Sequence, residues 1–311
     1  MDRRKIGSLE VSLVGIGCNN FGGRIDADRT SAVVAAAIDA GINFFDTADV
    51  YGGTHSEELL GRALKGLGKR DAVVIATKFG MPIDEARQGA EPGYVRRALE
   101  DSLRRLGTDR IDLYQLHRPD PNVPIADTLG VLAELVAAGK VREIGCSNFS
   151  VTELREAAGA PPAGAPGFVS VQNEYSLLHR DPERGVLPEC ERRGLAFLPY
   201  FPLASGLLTG KYHRGKPAPA GARLAAPGSA ARFLSEANIS AVEALRGFVE
   251  ARGRSLLELA FSWLALRPVV ASVIAGATSA EQVRANAAAV GWKLSADEID
   301  EVNRIAPLRV V

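Results

Sequence analysis

Short apolar, β-branched runs alternate with helix-period segments along almost the whole chain, and eight such units can be counted. A run too short to be a helix, followed each time by an amphipathic stretch, leaves a strand that must be covered on both sides, as in a parallel sheet. The predicted strands are Leu13 to Gly17, Ile42 to Asp46, Ala72 to Lys78, Ile111 to His117, Val141 to Ser147, Val169 to Gln172, Ala196 to Tyr200 and Ser272 to Ala275. Eight βα units predict an α/β fold, a (β/α)8 TIM barrel, occupying residues 1–311 as one domain. Before the first unit lies KIGSLEVS, whose Gly-Ser suits a hairpin turn, so an N-terminal β-hairpin is expected to plug the amino end of the barrel.

Helical spacing is clearest in Val95, Leu99, Leu103 and Leu106, and again in Ile125, Leu129, Leu132 and Val136. Capping boxes are expected at Ser150 with Glu153, Ser255 with Glu258 and Ser295 with Glu298. Extra helices towards the C-terminus are expected, one over Ser240 to Arg252 before the eighth unit and a C-terminal one over Ser295 to Ile305. Two stretches read as loop: residues 157 to 167, a connector, and residues 211 to 235, long enough to be functional.

Lys plus Arg equals Asp plus Glu, 37 each, so nothing in the net charge points to nucleic acid or to an anionic membrane surface. Any phosphate must therefore be held locally. The N-terminus lacks an apolar h-region, and the longest apolar stretch is broken by Glu258, Arg267 and Pro268, so a cytoplasmic protein is expected. Cys18, Cys146 and Cys190 have no metal-like spacing and read as reduced, buried small hydrophobes. No His lies at metal-ligand spacing from a carboxylate cluster, and no G-x-S-x-G elbow is present, which disfavours a metal-dependent isomerase or a serine hydrolase. GIGCNNFG lacks the third glycine of a dinucleotide fingerprint, and GLLTGKY fails as a P-loop.

Asp46, Lys78 and His117 stand at the ends of three successive strands, and Tyr51 follows Asp46 by five residues. In a parallel barrel such ends converge on one mouth. Each residue has a bland reading alone: Asp46 as a turn or cap, Tyr51 as packing, Lys78 as solvated, His117 as a satisfied interior histidine. Their conjunction outweighs four independent coincidences. A phenol gives up its proton only where the phenolate is stabilised, and a neighbouring ammonium, kept charged by a carboxylate, supplies that. Tyr51, Lys78 and Asp46 fit those roles, and His117 would polarise a carbonyl oxygen. Such a set reduces a carbonyl or oxidises an alcohol when paired with a hydride carrier.

With these residues in place, the stretches GINFFDTADVYGGTHSEELLGRAL, VVIATKFG, DRIDLYQLHRPD, GKVREIGCSN, VQNEYSLL, PYFPLASGLLTGKY and VIAGATSAEQVRAN resemble the aldo-keto reductase family over essentially the full chain. The resemblance implies that Asp46, Tyr51, Lys78 and His117 are the catalytic tetrad, with Tyr51 as general acid in reduction. It implies that Ser147, Asn148 and Gln172 hold a nicotinamide carboxamide and that Tyr200 stacks on the ring. Pro202, Leu203, Gly206 and Leu208 would follow the pyrophosphate, with Lys211 supplying charge. Gly276, Thr278, Ser279, Gln282 and Asn286 would take the adenosine end, although Ser279 and Gln282 also suit a capping box. A small-molecule carbonyl or alcohol substrate is implied, in a pocket with Phe21, Val50 and Phe79 among its side chains.

Two departures bear on the cofactor. The family often places Lys or Arg within positions matching Gly276 to Ser279 or Gln282, and this chain has none there; Arg284 is the nearest substitute. Phe201 stands where relatives often have Ser. NADP(H) is the expectation from the family, with NAD(H) open. Two alternatives also stay open: an NAD-dependent sugar or alcohol dehydrogenase using the same site, and a slow-turnover, cofactor-binding regulatory subunit.

Overall fold

The computed structural model describes residues 1–161, 164–225 and 230–308. Two strands, β1 (Arg3–Ile6) and β2 (Leu9–Ser12), form an antiparallel hairpin. Eight more form the parallel sheet: β3 (Val14–Gly17), β4 (Phe44–Asp46), β5 (Val74–Phe79), β6 (Ile111–Leu116), β7 (Val141–Ser147), β8 (Ser170–Glu174), β9 (Ala196–Tyr200) and β10 (Val273–Gly276). Their spatial order is sequential from β3 to β9, with β10 beside β3. A parallel bridge between Phe197 and Val270, with the Phe197 amide donating to Val269 O, joins β9 to the segment before β10 and nearly closes the barrel.

The helices are α1 (Ala27–Asp39), α2 (His55–Leu67), α3 (Pro92–Leu106), α4 (Ile125–Ala137), α5 (Val151–Gly159), α6 (Val186–Arg193), α7 (Ala230–Phe233), α8 (Glu236–Glu250), α9 (Leu256–Ala265), α10 (Ala280–Ala288) and α11 (Ala296–Ile305). All three expected capping boxes form, at α5, α9 and α11. The fourth does not. Ser279 accepts from the Gln282 amide at the start of α10, but the Gln282 side chain accepts from the Thr278 amide (2.9 Å) rather than from Ser279. The helix expected from Ser240 begins earlier, because Ser235 caps the amide of Asn238. The connector expected at 157 to 167 starts later, because α5 continues to Gly159; residues 162–163 lie outside the described residues. Within the expected long loop, a 3-10 turn at Arg223–Ala225 and α7 form, and residues 226–229 lie outside the described residues.

Strand β4 is shorter than expected because Asn43 has another task. Its side chain accepts from the Ser12 amide (2.7 Å) and donates to Glu10 O (2.9 Å), and its amide donates to Ser12 Oγ (3.0 Å), so it ties the hairpin to the barrel and only its carbonyl, accepting from the Val74 amide (2.7 Å), joins the ladder. The hairpin turn uses Gly7 at φ +55°, where a Cβ would meet the Glu143 carboxylate. Two apolar clusters result. One, between the sheet and the helices, holds the helix-facing side chains, including Cys18, Cys146 and Cys190. The other places Ile6, Leu9 and Val11 of the hairpin against Phe44, Val74, Leu113 and Leu198 inside the barrel. The plug thus fills the amino end with hydrocarbon, and polar side chains collect at the carboxyl end.

Candidate active site

At the carboxyl end, the Lys78 ammonium donates to Asp46 Oδ2 (2.7 Å) and to Thr47 O (2.9 Å). Asp46 Oδ1 accepts from Gln172 Nε2 (2.9 Å) and Gln115 Nε2 (3.3 Å), so the carboxylate is fully partnered. Both residues are buried, Lys78 completely. The ammonium lies 5.1 Å from the Tyr51 ring centroid, close enough for each group to shift the ionisation of the other. Burial draws the Lys78 ammonium down, but Asp46 and Tyr51 together outweigh it and hold its pKa above the ordinary lysine value. Lys78 is therefore a fixed cation. For Tyr51, burial is the largest influence and pushes the phenol up; Lys78 pulls it down by less. The phenol keeps its proton across the neutral range, more firmly than the ammonium alone would imply.

His117 follows β6, its ring edge-on to Tyr51 with centroids 5.7 Å apart. Its amide donates to Phe79 O (2.9 Å), and its carbonyl accepts from Asn148 Nδ2 (2.9 Å), so the backbone is clamped from both sides. Burial, reinforced by Lys78 and Arg118, brings the imidazole down to about 3. It is neutral, and its buried Nδ1 has no hydrogen-bond partner. A neutral ring beside a phenol offers a hydrogen bond to an oxygen without adding charge.

A cavity of about 590 Å³ opens above these groups, within the usual range for small-molecule sites. Asp46, Tyr51 and His117 line it; Lys78 is fully buried and does not, but its charge is felt by Tyr51, which does. Of the remaining residues singled out from sequence, Ser147, Asn148, Gln172, Tyr200, Pro202, Leu203, Gly206, Lys211, Gly276, Thr278, Gln282 and Asn286 also line it. Leu208 does not: it is wholly buried in the core. Ser279 is set back as the cap of α10. Phe21 and Phe79 are likewise core, Phe79 stacked on Tyr114 at 4.6 Å, and Met81 lines the cavity instead. Arg284 faces α1 in a separate shallow depression.

Several polar groups of the lining are already engaged with one another. Ser147 Oγ donates to Gln172 O (2.7 Å), and the Tyr200 hydroxyl donates to Asn148 Oδ1 (2.8 Å). Non-glycine residues with left-handed backbone cluster around the mouth: Thr54, Asn148, Phe201, Ala204 and Ser205. Each such residue costs about 1–3 kcal/mol and persists where surrounding structure over-determines it. The Asn148 amide, for example, is fixed by Gln172 O (3.0 Å).

Sequence reasoning missed Asn19, Asn20, Arg24 and Arg223, all of which line the cavity. The Arg223 guanidinium donates to Asn20 Oδ1 (2.8 Å), and Arg24 donates to Gly221 O (2.6 Å), so the segment after β9 is tied across the cavity to the loop after β3. Lys211, Arg24 and Arg223 lie close enough to lower the Lys211 pKa, after burial. Gly206, at φ +95°, lets the Lys211 ammonium approach within 3.2 Å of where a Cβ would be. The signal lay in the arginines of two glycine-rich loops, a composition too common to single out.

A nicotinamide dinucleotide fits what is present. The cavity extends from the Tyr51–His117 pair to α10, is lined by three cations for phosphates, and ends at the exposed Gly276 backbone. Fold and site together define a barrel oxidoreductase. The model of the aldo/keto reductase family matches residues 13–307, and the chain belongs to that family. It is similar to Aldo-keto reductase YhdN of Bacillus subtilis (strain 168), 34% identical over 304 residues covering 96% of this chain and 90% of the relative. It is also similar to the solved holo form of aldo-keto reductase AKR11C1 from Bacillus halodurans, with a TM-score of 0.83 and 32% identity over 100% of this chain and 98% of that one. The family's chemistry is nicotinamide-dependent conversion of small-molecule carbonyl compounds. Among the described residues no helix is long and apolar enough to cross a membrane.

Proposed function

We propose that this chain, as one barrel domain, reduces aldehydes or ketones to alcohols with NADP(H), with Tyr51 as the general acid. The observation that carries the reading is the Asp46–Lys78–Tyr51 relay beside a neutral His117. When bound, the nicotinamide supplies hydride to the carbonyl carbon. Tyr51 gives its proton to the carbonyl oxygen, and Lys78 stabilises the phenolate that remains. Asp46 keeps the buried ammonium charged and oriented, and Gln115 and Gln172 hold Asp46. His117 donates from Nε2 to the same carbonyl oxygen, which places it beside the phenol. Ser147, Asn148 and Gln172 would hold the carboxamide, Tyr200 the ring, Lys211 with Arg24 and Arg223 the phosphates, and Gly276, Thr278, Gln282 and Asn286 the adenosine.

A second reading, NAD(H), is favoured by one observation. Among the described residues no cation of α10 or of the turn before it lines the cavity, and Arg284 points to α1. The discriminating experiment follows consumption of NADPH and NADH with aromatic aldehydes, diketones and aldoses, and the reverse reaction with the matching alcohols. Turnover with NADPH at the lower KM supports the first reading; preference for NADH supports the second. Tight cofactor binding with no turnover on the whole panel would refute both and leave a binding subunit.

A further inference from the structure

Behind the site lies a second buried polar cluster that the proposed chemistry does not use. Glu57 on α2 is fully buried; its Oε1 accepts from Thr77 Oγ1 (2.6 Å), and its Oε2 from Arg105 Nε of α3 (2.7 Å). Asp49 is buried beside it, 1% exposed. Its Oδ2 accepts from the Tyr94 hydroxyl of α3 at a long 3.4 Å, and its buried Oδ1 has no partner. Two carboxyls thus share one guanidinium, and Glu57 holds it. A buried carboxylate without a cation is costly, and the usual outcome is that it takes up a proton.

The cluster is joined to the site through the backbone. The Asp49 amide donates to Lys78 O (3.0 Å), and Thr77, gripped by Glu57, directly precedes Lys78. Asp49 is two residues before Tyr51, whose own amide donates to Ala48 O (3.2 Å). Beyond Tyr51 the chain passes through Gly52, Gly53 and Thr54, all left-handed, with Gly52 packed closely against Phe21 O, so that side holds the turn to the loop after β3 and not to α3. The Asp49 side chain is what ties the turn carrying Tyr51 to α3.

We propose that Asp49 is a positioning residue for Tyr51, acting as an uncharged carboxylic acid, and that its ionisation displaces the turn. The inference rests on the reading of Tyr51 as proton donor. The groups facing Asp49 are Glu57 from α2, Arg105 and Tyr94 from α3, Tyr114 from β6, and the Val50 amide; Arg87, paired with Asp84, influences Tyr94 but not Asp49. Burial first, then Glu57, push the Asp49 carboxyl up to about 7, against Arg105, the Val50 amide and Tyr94. Its folded state therefore holds a proton that the unfolded state releases near 3.8, so the stability linked to Asp49 is full below about 4 and is lost as pH rises to about 7.

The test measures kcat for carbonyl reduction against pH in the wild type, Asp49→Asn and Tyr94→Phe, with melting temperature over the same range. The wild type is expected to lose kcat through a limb near pH 7. In Asp49→Asn, which mimics the neutral acid, that limb disappears and only the later fall from Tyr51 remains. Tyr94→Phe removes a donor that favours the carboxylate, so the limb moves to higher pH. Melting of the wild type falls between pH 4 and 7 relative to Asp49→Asn. A limb common to all three proteins, or parallel melting curves, overturns the proposal. A wild type without turnover refutes the reading of the site instead, and the melting comparison then decides the state of Asp49.

Discussion

Lys78 and Asp46 form a buried ion pair, Nζ to Oδ2 2.7 Å, in which the ammonium is wholly shielded and the carboxylate opens only slightly onto the cavity. Taking two ions out of water costs more than their attraction returns unless other hydrogen bonds complete them, and here Thr47, Gln115 and Gln172 do so. The pair is thus explained by its work on Tyr51 rather than by stability.

Removing one partner exposes that cost. Lys78→Met leaves the Asp46 carboxylate buried and uncompensated, and is expected to destabilise the fold by about 3–5 kcal/mol while abolishing turnover. The double variant Lys78→Met, Asp46→Asn should recover most of the stability and none of the activity. Urea denaturation with a turnover assay reads both; equal stability of single and double variants would contradict the account.

His117 is held neutral, and its ionisation is displaced from 6.5 to about 3. The unfolded chain binds that proton at higher pH than the folded one. Stability linked to His117 is therefore complete above about pH 6.5 and is lost as pH falls toward 3. Compared with His117→Gln, the wild type should lose melting temperature between pH 6.5 and 4, and its kcat should show no limb from an imidazole near 6.5. A histidine NMR titration midpoint near 6.5 would count against this.

Gly61 tests the packing behind the site. A Cβ there would sit 2.2 Å from Leu106 O, so α2 and α3 touch backbone to backbone at this glycine. Gly61→Ala has to push the helices apart, and overpacking of this kind costs about 1–3 kcal/mol despite the better helix propensity of Ala. Because the same helices carry Glu57 and Arg105, kcat should fall along with the melting temperature. A variant as stable as the wild type would show that α2 and α3 approach less closely.

Much of this was legible from sequence because it is local. Alternating apolar runs located the eight barrel strands, Gly7 and Ser8 marked the hairpin, and three Ser-x-x-Glu pairs marked helix starts. Strand edges moved where a side chain took over a tertiary task, as Asn43 did. Asp46, Tyr51, Lys78 and His117 could be brought together because barrel topology converts strand ends into neighbours. Arg24 and Arg223 could not, since their meeting with Gly221 and Asn20 joins loops roughly two hundred residues apart. The expectation that Lys78 sets the Tyr51 pKa also needed coordinates: only the depth of burial shows that desolvation is the larger influence. The Gln282 side chain accepts from Thr278, a choice between two backbone donors one residue apart that the sequence does not make.

The most direct measurement is made on Tyr51→Phe: cofactor dissociation constant by fluorescence titration, and rate of carbonyl reduction, both beside the wild type. Deleting one hydroxyl leaves the cavity shape and its three cations in place, so affinity for the dinucleotide should change by less than about twofold. General acid catalysis contributes about 10²–10⁴-fold, and the reduction rate should fall by at least that much. A Tyr51→Phe enzyme that still reduces aldehydes at near wild-type rate would contradict the central claim that this phenol delivers the proton.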